Sequence, residues 1–229
     1  MPKVDKSQYT KSEWKKIREE RRIEKTPKIS SFQNTSTAFV LGNGVSRKSI
    51  KPQSLREHGT VYGCNALYRE FDPDYLIAVD VKMILEISKS GYQNKHQVWT
   101  NPNKSYAKIQ NLNFFHPSKG WSSGPTALWL ASQHKYNQIF ILGFDYKGLD
   151  EGKKFNNIYA DTVNYKKSRD SATFFGNWLR QTKNVIQEHK QIQYFRVINA
   201  DNYCPTELNS LSNLKTITIE DFKKIFNLK

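Results

Sequence analysis

The sequence has 229 residues, of which 37% are hydrophobic and 25% are charged. This composition is typical of one globular domain with a substantial core and argues against a disordered chain. The formal net charge of +15 is spread along the chain and predicts a basic surface that could attract an anionic surface or nucleic acid, although no known nucleic-acid-binding motif occurs. Cys64 and Cys204 form neither a metal-binding spacing nor a disulfide framework. No apolar run approaches the roughly 20 residues that span a bilayer, and no signal peptide is evident, so we expect a cytoplasmic protein.

The first 35 residues form a predicted basic helical arm and linker, separate from a domain over 36–229. Residues 12–23 are rich in helix-forming charged residues and have few apolar positions. A polar linker follows Pro27. The arm is interpreted either as a partner-binding helix or as a frayed basic extension.

The domain opens with an apolar run over 37–41 that predicts a buried strand and ends in Gly42-Asn43-Gly44. We expect glycine with positive φ to turn the backbone here, and residues 47–50 to begin a helix. A glycine turn between a strand and a helix presents amide groups that suit a phosphate. The alternative is an ordinary turn that binds nothing.

The rest of the chain alternates strand and helix patterns. The predicted strands are 60–65, 74–80, 97–100, 112–115, 138–143 and 192–198, with 192–198 as a last central strand. The predicted helices are 81–88, a helix capped by residues 122–125, 170–189 and 219–226. Residues 147–167 form a long polar segment that we interpret as a mobile lid. This order predicts an α/β fold, a single Rossmann-like domain whose mostly parallel sheet carries helices on both faces.

Polar residues follow several predicted strands or begin a predicted helix, where open α/β sheets bind ligands. These residues are Asn43, Asn65, Asp80, Ser123, Gly124 and Asp145. Each could be only a turn or capping residue when taken alone. Together they favour a nucleotide site, because amides and carboxylates bond ribose hydroxyls and a helix N-terminus favours phosphate.

Several of these motifs resemble those of small bacterial sialyltransferases that use CMP-sialic acid. Gly42-Asn43-Gly44-Val45-Ser46 is similar to their Gly-Asn-Gly-Pro-Ser segment, with Val45 in place of proline. Cys64-Asn65, Ser123-Gly124 and Gly143-Phe144-Asp145 also have counterparts, so the resemblance covers about residues 39–184. It implies a Rossmann-like fold, CMP-sugar or another nucleotide-sugar as substrate, a glycan or other acceptor, and no required metal.

The family's general-base histidine has no counterpart here. The closest segment runs from Tyr165 to Asp170 and carries Tyr165 at that position. A phenol has an ordinary pKa near 10 and is a poor base at neutral pH. The candidate catalytic residues are therefore Asp145 and Tyr165, with His116, Asp161 and Asp170 as further possible bases.

A second group shares the same skeleton: archaeal-type hydroxymethyl-dihydropterin diphosphokinases and related flagellin-modification accessory proteins. Residues 71–80 resemble their Pro-Asp-strand-Asp element, and Gly143-Phe144-Asp145-Tyr146 resembles their Gly-x-Asp. This alternative implies an ATP-dependent transferase in which Asp80 and Asp145 help to hold Mg²⁺.

The sequence thus predicts a nucleotide-sugar-binding transferase, with glycosyl transfer favoured and the diphosphokinase-like enzyme as the alternative. A third hypothesis is a non-catalytic module that binds nucleotide or nucleic acid. No metal ligands are predicted in the favoured reaction, and the oligomeric state is left open. The predicted binding residues are Gly42, Asn43, Gly44, Ser46, Asn65, Asp80, Ser123, Gly124 and Tyr146.

Overall fold

The computed structural model describes residues 10–13, 16, 37–199 and 203–228. Residues 11–13 and 16 are α-helical, in agreement with the helix predicted for this part of the arm. The rest of the predicted arm and linker lies outside the described residues.

The domain is built on one sheet of eight strands, all parallel. Its order is β5-β4-β3-β2-β1-β6-β7-β8. The strands are β1 (Thr37–Leu41), β2 (Thr60–Cys64), β3 (Tyr75–Ile77), β4 (Val98–Thr100), β5 (Asn113–Phe114), β6 (Gln138–Leu142), β7 (Gln193–Ile198) and β8 (Leu214–Thr218). This is an α/β Rossmann-like fold, as predicted.

Five α-helices connect or follow the strands in the described part of the chain. They are α1 (Val81–Ser90), α2 (Ser123–Gln133), α3 (Gly176–Glu188), α4 (Thr206–Asn209) and α5 (Ile219–Ile225). α1 ends at Gly91, whose φ of 73° gives the left-handed conformation that commonly closes a helix. α5 begins at Thr218, whose side chain accepts a hydrogen bond from the Asp221 amide at 3.1 Å. Among the described residues, none of the helices has both the length and the apolar character needed to cross a bilayer.

Both faces of the sheet are covered, so the central strands are apolar throughout. In β1, Ala38 and Val40 pack on the side of α2 and α3. Phe39 and Leu41 pack on the opposite side, with α1 and α5. The continuous apolar runs of β1 and β6 follow from this double burial.

The order of the strands puts a switch point between β1 and β6. From β1 the chain moves outward through β2, β3, β4 and β5 on one side, and then returns to the other side of β1 for β6, β7 and β8. The loops that follow β1 and β6 therefore leave the sheet in opposite directions. In folds of this kind a crevice forms at the carboxyl ends of the two strands, where ligands bind.

The structure differs from the sequence predictions at three places. β7 is a central strand, as predicted, but the sequence analysis missed β8, which pairs beside it at the edge of the sheet from Tyr194–Leu214 to Ile198–Thr218. The partly exposed β8 lacks the apolar run of a central strand. α3 begins at Gly176 rather than at residue 170, and the residues before it include Thr173 and Phe175, which line a cavity instead. Residues 45–49 form a 3₁₀ helix, not an α-helix.

Candidate functional site

A cavity of about 370 Å³ lies at the switch point. It is bounded by the loops after β1, β2, β3 and β6 and by the start of α2. Eight of the nine predicted binding residues line it: Gly42, Asn43, Gly44, Asn65, Asp80, Ser123, Gly124 and Tyr146. Asp145 lines it too. Residues from distant parts of the chain are thus brought together as the sequence predicted.

The glycines of the turn after β1 serve packing rather than positive φ. Gly44 has a φ of −65°, whereas Gly143, in the facing turn after β6, has a φ of 69°. A Cβ on Gly42 would lie 2.7 Å from the Gly143 oxygen, and one on Gly44 would lie 2.5 Å from the Asp145 carboxyl carbon. The expectation of positive φ at 42–44 is therefore wrong. Small residues are needed there because the two turns pack directly against each other.

Most of the amides of this turn are already paired, so the turn offers little to a phosphate. The Gly42 and Gly44 amides donate to the oxygens of Leu142 and Gly143. The Val45 amide donates to Asn156 Oδ1 at 2.9 Å. The Ser46 amide donates to Asp145. Only the Asn43 amide has no acceptor among the described residues, which corrects the interpretation of 42–46 as a phosphate cradle.

The Asp145 carboxylate fastens three segments together. It accepts hydrogen bonds from the Ser46 amide at 3.1 Å, from the Ser46 hydroxyl, and from Asn156 Nδ2 at 3.0 Å. Ser46 does not line the cavity, but it is hydrogen-bonded to Asp145, which does. Because both carboxylate oxygens are already engaged, Asp145 is better suited to hold the site in shape than to accept a proton.

Asn156, which the sequence reasoning missed, ties the segment 147–167 to the glycine turn. Its amide group donates to Asp145 Oδ2 and to the Lys147 oxygen, and accepts from the Val45 amide. The Ile158 amide adds a bond to the Asn43 oxygen at 2.9 Å. The segment is irregular but is hydrogen-bonded to the glycine turn, and its mobility as a lid stays a prediction. A lone asparagine in a polar stretch gives no sequence signal for such a bridge.

The start of α2 is the part of the cavity best suited to an anion. No side chain caps this helix, and the amides of Ser123 and Gly124 have no acceptor among the described residues. Pro125 has no amide hydrogen and fits the first turn. The Ser122 amide is held by Gln181 Oε1 at 3.1 Å. The two unpaired amides and the helix dipole favour negative charge at this point.

Two consecutive hydrogen bonds fix the side chains of Ser123 and Asn65 on the β2 and β3 side of the cavity. The Val79 amide donates to Ser123 Oγ at 3.1 Å, and that hydroxyl donates to Asn65 Oδ1 at 2.8 Å. The oxygen of Asn65 is thus engaged, and its amide nitrogen has no acceptor within the described residues. Asn65 has a φ of 52°, a conformation that asparagine tolerates better than most residues.

Asn43 presents an unsatisfied acceptor. Its Nδ2 donates to the Cys64 oxygen at 3.2 Å and to the Tyr165 hydroxyl at 3.3 Å. The carbonyl of Cys64 can only accept, which fixes the amide orientation. Asn43 Oδ1 is buried and has no hydrogen-bond partner. Such an atom carries a free-energy cost that a ligand donor would remove.

Tyr165 lies at the edge of the site and is poorly suited to be a base. Its hydroxyl oxygen accepts from Asn43 Nδ2 and from the Ala66 amide. Burial raises the pKa of Tyr165 to about 12. Tyr165 does not line the main cavity but lines a second one beside it. At neutral pH the phenol is therefore protonated.

Aromatic side chains form one wall of the main cavity, and the sequence reasoning missed them. They are Trp121, Phe155, Phe175 and Trp178, and all are at least partly buried. They come from the loop before α2, the segment 147–167 and the start of α3. Because these regions are distant in the chain, no local pattern could have grouped them.

Two buried arginines support the turns from below. Arg47 Nε donates to the Gly42 oxygen at 2.6 Å, and its other end pairs with Glu70 at 3.2 Å. Arg196 donates to the oxygens of Phe144, Asp145 and Tyr203. Arg196 is 3% exposed and has no ion pair with any described carboxylate. Its charge is balanced by carbonyl dipoles and by the Tyr146 ring 5.3 Å away, which keeps positive charge beneath the cavity.

Tyr146 lines the cavity but directs its hydroxyl into the protein. The hydroxyl donates to Thr182 Oγ1 at 2.7 Å, and burial raises the pKa of Tyr146.

Within the described residues, no cluster of three or more His, Cys, Asp or Glu side chains could hold a metal ion. In comparisons with known proteins, no family model, curated protein or solved structure matches the chain.

Proposed function

We propose that the cavity binds a nucleotide or nucleotide-sugar and that the protein transfers a group from it, with glycosyl transfer favoured. The observation that carries this proposal is the coincidence of the cavity with the β1/β6 switch point and the uncapped start of α2. Open parallel sheets bind nucleotides at such a crevice, and the phosphates lie on a helix N-terminus.

The lining divides into parts that match the parts of a nucleotide. The wall containing Trp121 and Trp178 offers a flat apolar surface for a base. The amides of Ser123 and Gly124 suit a phosphate, and Asn43 Oδ1 and the Asn65 amide nitrogen suit hydroxyl or amino groups. A volume of about 370 Å³ lies in the range of small-molecule sites.

Glycosyl transfer requires that the leaving phosphate be stabilised as its charge grows. The two free amides of α2 can donate to that charge, and the buried Arg196 guanidinium adds a favourable field. In the favoured hypothesis the acceptor is a glycan or another hydroxyl compound, and no metal is required.

The diphosphokinase-like alternative has one observation in its favour. Asp80 is exposed and its carboxylate has no partner among the described residues, so it is free to bind a hydrated Mg²⁺. Asp145, the second ligand in that hypothesis, already accepts three hydrogen bonds. We therefore keep nucleotide-sugar transfer as the first hypothesis.

Calorimetric titration of the full chain with CMP-, UDP- and GDP-sugars, and with ATP with and without Mg²⁺, tests the proposal. We expect one class to bind, and Asn43→Ala to weaken it by about 1 to 3 kcal/mol through loss of hydrogen bonds to the ligand. Asn177→Ala is the control, because Asn177 is exposed on α3 and accepts only from Arg180. No binding of any compound would overturn the function, and unchanged affinity in a folded Asn43→Ala variant would overturn the placement.

A further inference from the structure

A second cavity of about 360 Å³ opens beside the first. Its lining includes Asn65, Asp80, Lys82, Asn164 and Tyr165. Asn65 and Asp80 also line the first cavity, so the two spaces meet at these two side chains. A molecule in the second cavity would lie directly beside a molecule in the first.

Asp80 is the free carboxylate at this junction. It precedes α1 but its side chain makes no capping hydrogen bond, and it has no hydrogen bond or ion pair with any described residue. Its backbone is fixed, because the Asp80 oxygen accepts from the Ile84 amide at 3.0 Å and the neighbouring Val79 amide donates to Ser123. The carboxylate is thus both held in place and unoccupied.

Of the candidate bases predicted from the sequence, His116, Asp161 and Asp170 line neither cavity, and the other two are engaged. Asp145 uses its carboxylate to join Ser46 and Asn156. The Tyr165 oxygen accepts two hydrogen bonds, and its phenol is protonated at neutral pH. Among Asp80, Asp145 and Tyr165, only Asp80 has an acidic group without a partner in the described part of the chain, and Asp80 lines both cavities.

We propose that the second cavity is the acceptor subsite and that Asp80 takes the proton from the acceptor hydroxyl. The inference rests on the proposed transfer from a nucleotide-sugar in the first cavity. The acceptor oxygen forms a bond to the anomeric carbon, and the bond from that carbon to the phosphate oxygen breaks. The nucleotide leaves with the bonding electron pair, and the hydroxyl proton moves to Asp80.

The lining of the second cavity favours a hydroxyl-rich acceptor such as a saccharide. The Asn65 amide nitrogen can donate, and Asn164 Oδ1 can accept, because Asn164 uses its Nδ2 on Glu86 at 2.6 Å. Lys82 is exposed at the rim and adds a further donor. Donors and acceptors in a small space match alternating hydroxyl groups better than a purely apolar acceptor.

The test measures donor binding and donor turnover separately on the full chain. The donor is the nucleotide-sugar that binds in calorimetry, and the acceptors are methyl glycosides and water, which is present in every assay. Product formation and donor hydrolysis are followed by mass spectrometry. Asp80→Asn should lower both rates roughly 100-fold or more, as expected for a lost general base, and leave the donor Kd within about twofold. Asp80→Glu should restore part of the rate.

Two variants separate this role from general effects. Asp150→Asn removes an exposed carboxylate that pairs only with Lys154 and lies outside both cavities, so the rate should stay at the wild-type value. Lys82→Trp, at an exposed helical position that lines only the second cavity, should fill that cavity and raise the KM for the methyl glycoside, with the donor Kd unchanged.

The possible outcomes distinguish the two proposals. An Asp80→Asn variant that binds donor and turns it over at the wild-type rate overturns the inference and leaves the proposed function standing. Donor binding by the wild-type protein with neither transfer nor hydrolysis overturns the inference and the transferase activity, and leaves nucleotide binding. If no nucleotide binds, the proposed function fails and the inference fails with it.

Discussion

Ser46 donates to Asp145 through both its backbone amide, at 3.1 Å, and its hydroxyl group. The two residues are separated by 99 positions and follow adjacent strands, β1 and β6. Their contact joins the turns that follow these two strands, beside the cavity that Asp145 lines. The Asp145 carboxylate therefore adds side-chain hydrogen bonds to the backbone bonds from Gly42 and Gly44 that already join the two facing turns.

We expect Asp145→Asn to destabilise the fold by about 1 to 3 kcal/mol. The new amide group would place a donor against the donors of Ser46 or Asn156, so at least one hydrogen bond to the charged group is lost. Urea unfolding followed by circular dichroism measures the change. Asp150→Asn should stay within about 0.5 kcal/mol of the wild-type protein, as is usual for an exposed position. Equal stability of the two variants would show that the carboxylate does not hold the turns together.

The packing of the two turns gives a second prediction, for glycine. Gly44→Ala should cost about 1 to 3 kcal/mol, because its Cβ would lie 2.5 Å from the Asp145 carboxyl carbon in a site that cannot expand freely. Gly176→Ala is the matched control. Its Cβ would meet only the tip of the Phe174 ring, which is 77% exposed and can move aside, and alanine favours the helix.

Thermal unfolding of both glycine variants provides the measurement. A lower melting temperature for Gly44→Ala, with an equal or higher one for Gly176→Ala, is expected. If both variants unfold at the same temperature as the wild-type protein, the close approach between Gly44 and Asp145 is not important for stability.

The central strands and the polar residues at their ends were predictable because double burial leaves a strong signal in one short stretch. The run 139–142 is apolar since both faces of β6 are covered, and Asp145 lies three residues after it. The same reasoning failed at β8, where Lys215 and Thr216 are exposed and pairing with β7 supplies most of the order. The prediction of positive φ also failed for Gly42 and Gly44, because these glycines are needed for close packing against a turn about 100 residues away in the chain.

The aromatic wall and Asn156 could not be predicted for a related reason. Trp121 and Trp178 line the same cavity only because α3 packs beside α2, and nothing in either local sequence indicates that packing. Asn156 stands in a polar stretch that resembles an ordinary loop. Two of its three hydrogen bonds exist only because turns that follow β1 and β6 present Val45 and Asp145 to it, and the third is to the Lys147 oxygen.

Hydrogen exchange can test whether Asn156 anchors the segment 147–167. Asn156→Ala removes the acceptor of the Val45 amide and two bonds that hold Asp145 and Lys147. We expect faster exchange at Val45 and at Ile158, whose amide bonds the Asn43 oxygen, because local opening then costs less free energy.

Asn164→Ala is the comparison for this experiment. Asn164 lies in the same segment, but its side chain donates only to Glu86. Exchange at Val45 and Ile158 should remain at the wild-type rate in that variant. Equal exchange in the wild-type protein and the Asn156→Ala variant would show that Asn156 does not anchor the segment.

His134, near the amino ends of the strands, gives the pH dependence of stability. Burial lowers the pKa of His134 from 6.5 to about 4, and its Nδ1 is hydrogen-bonded to the Tyr62 hydroxyl. Between these pH values the unfolded chain binds a proton that the folded imidazole does not. The free energy of unfolding therefore falls as the pH decreases from 6.5 to 4. We expect protonation of His134 to lower the free energy of unfolding by about 1 to 3 kcal/mol over this range, allowing for the partial exposure of the side chain.

His134→Gln tests this prediction, because glutamine keeps an acceptor for Tyr62 but cannot titrate. Urea unfolding at pH 7, 6, 5 and 4 should show a smaller decrease in the free energy of unfolding for this variant than for the wild-type protein. Parallel curves for the two proteins would mean that the folded protein accepts the proton on His134 without cost.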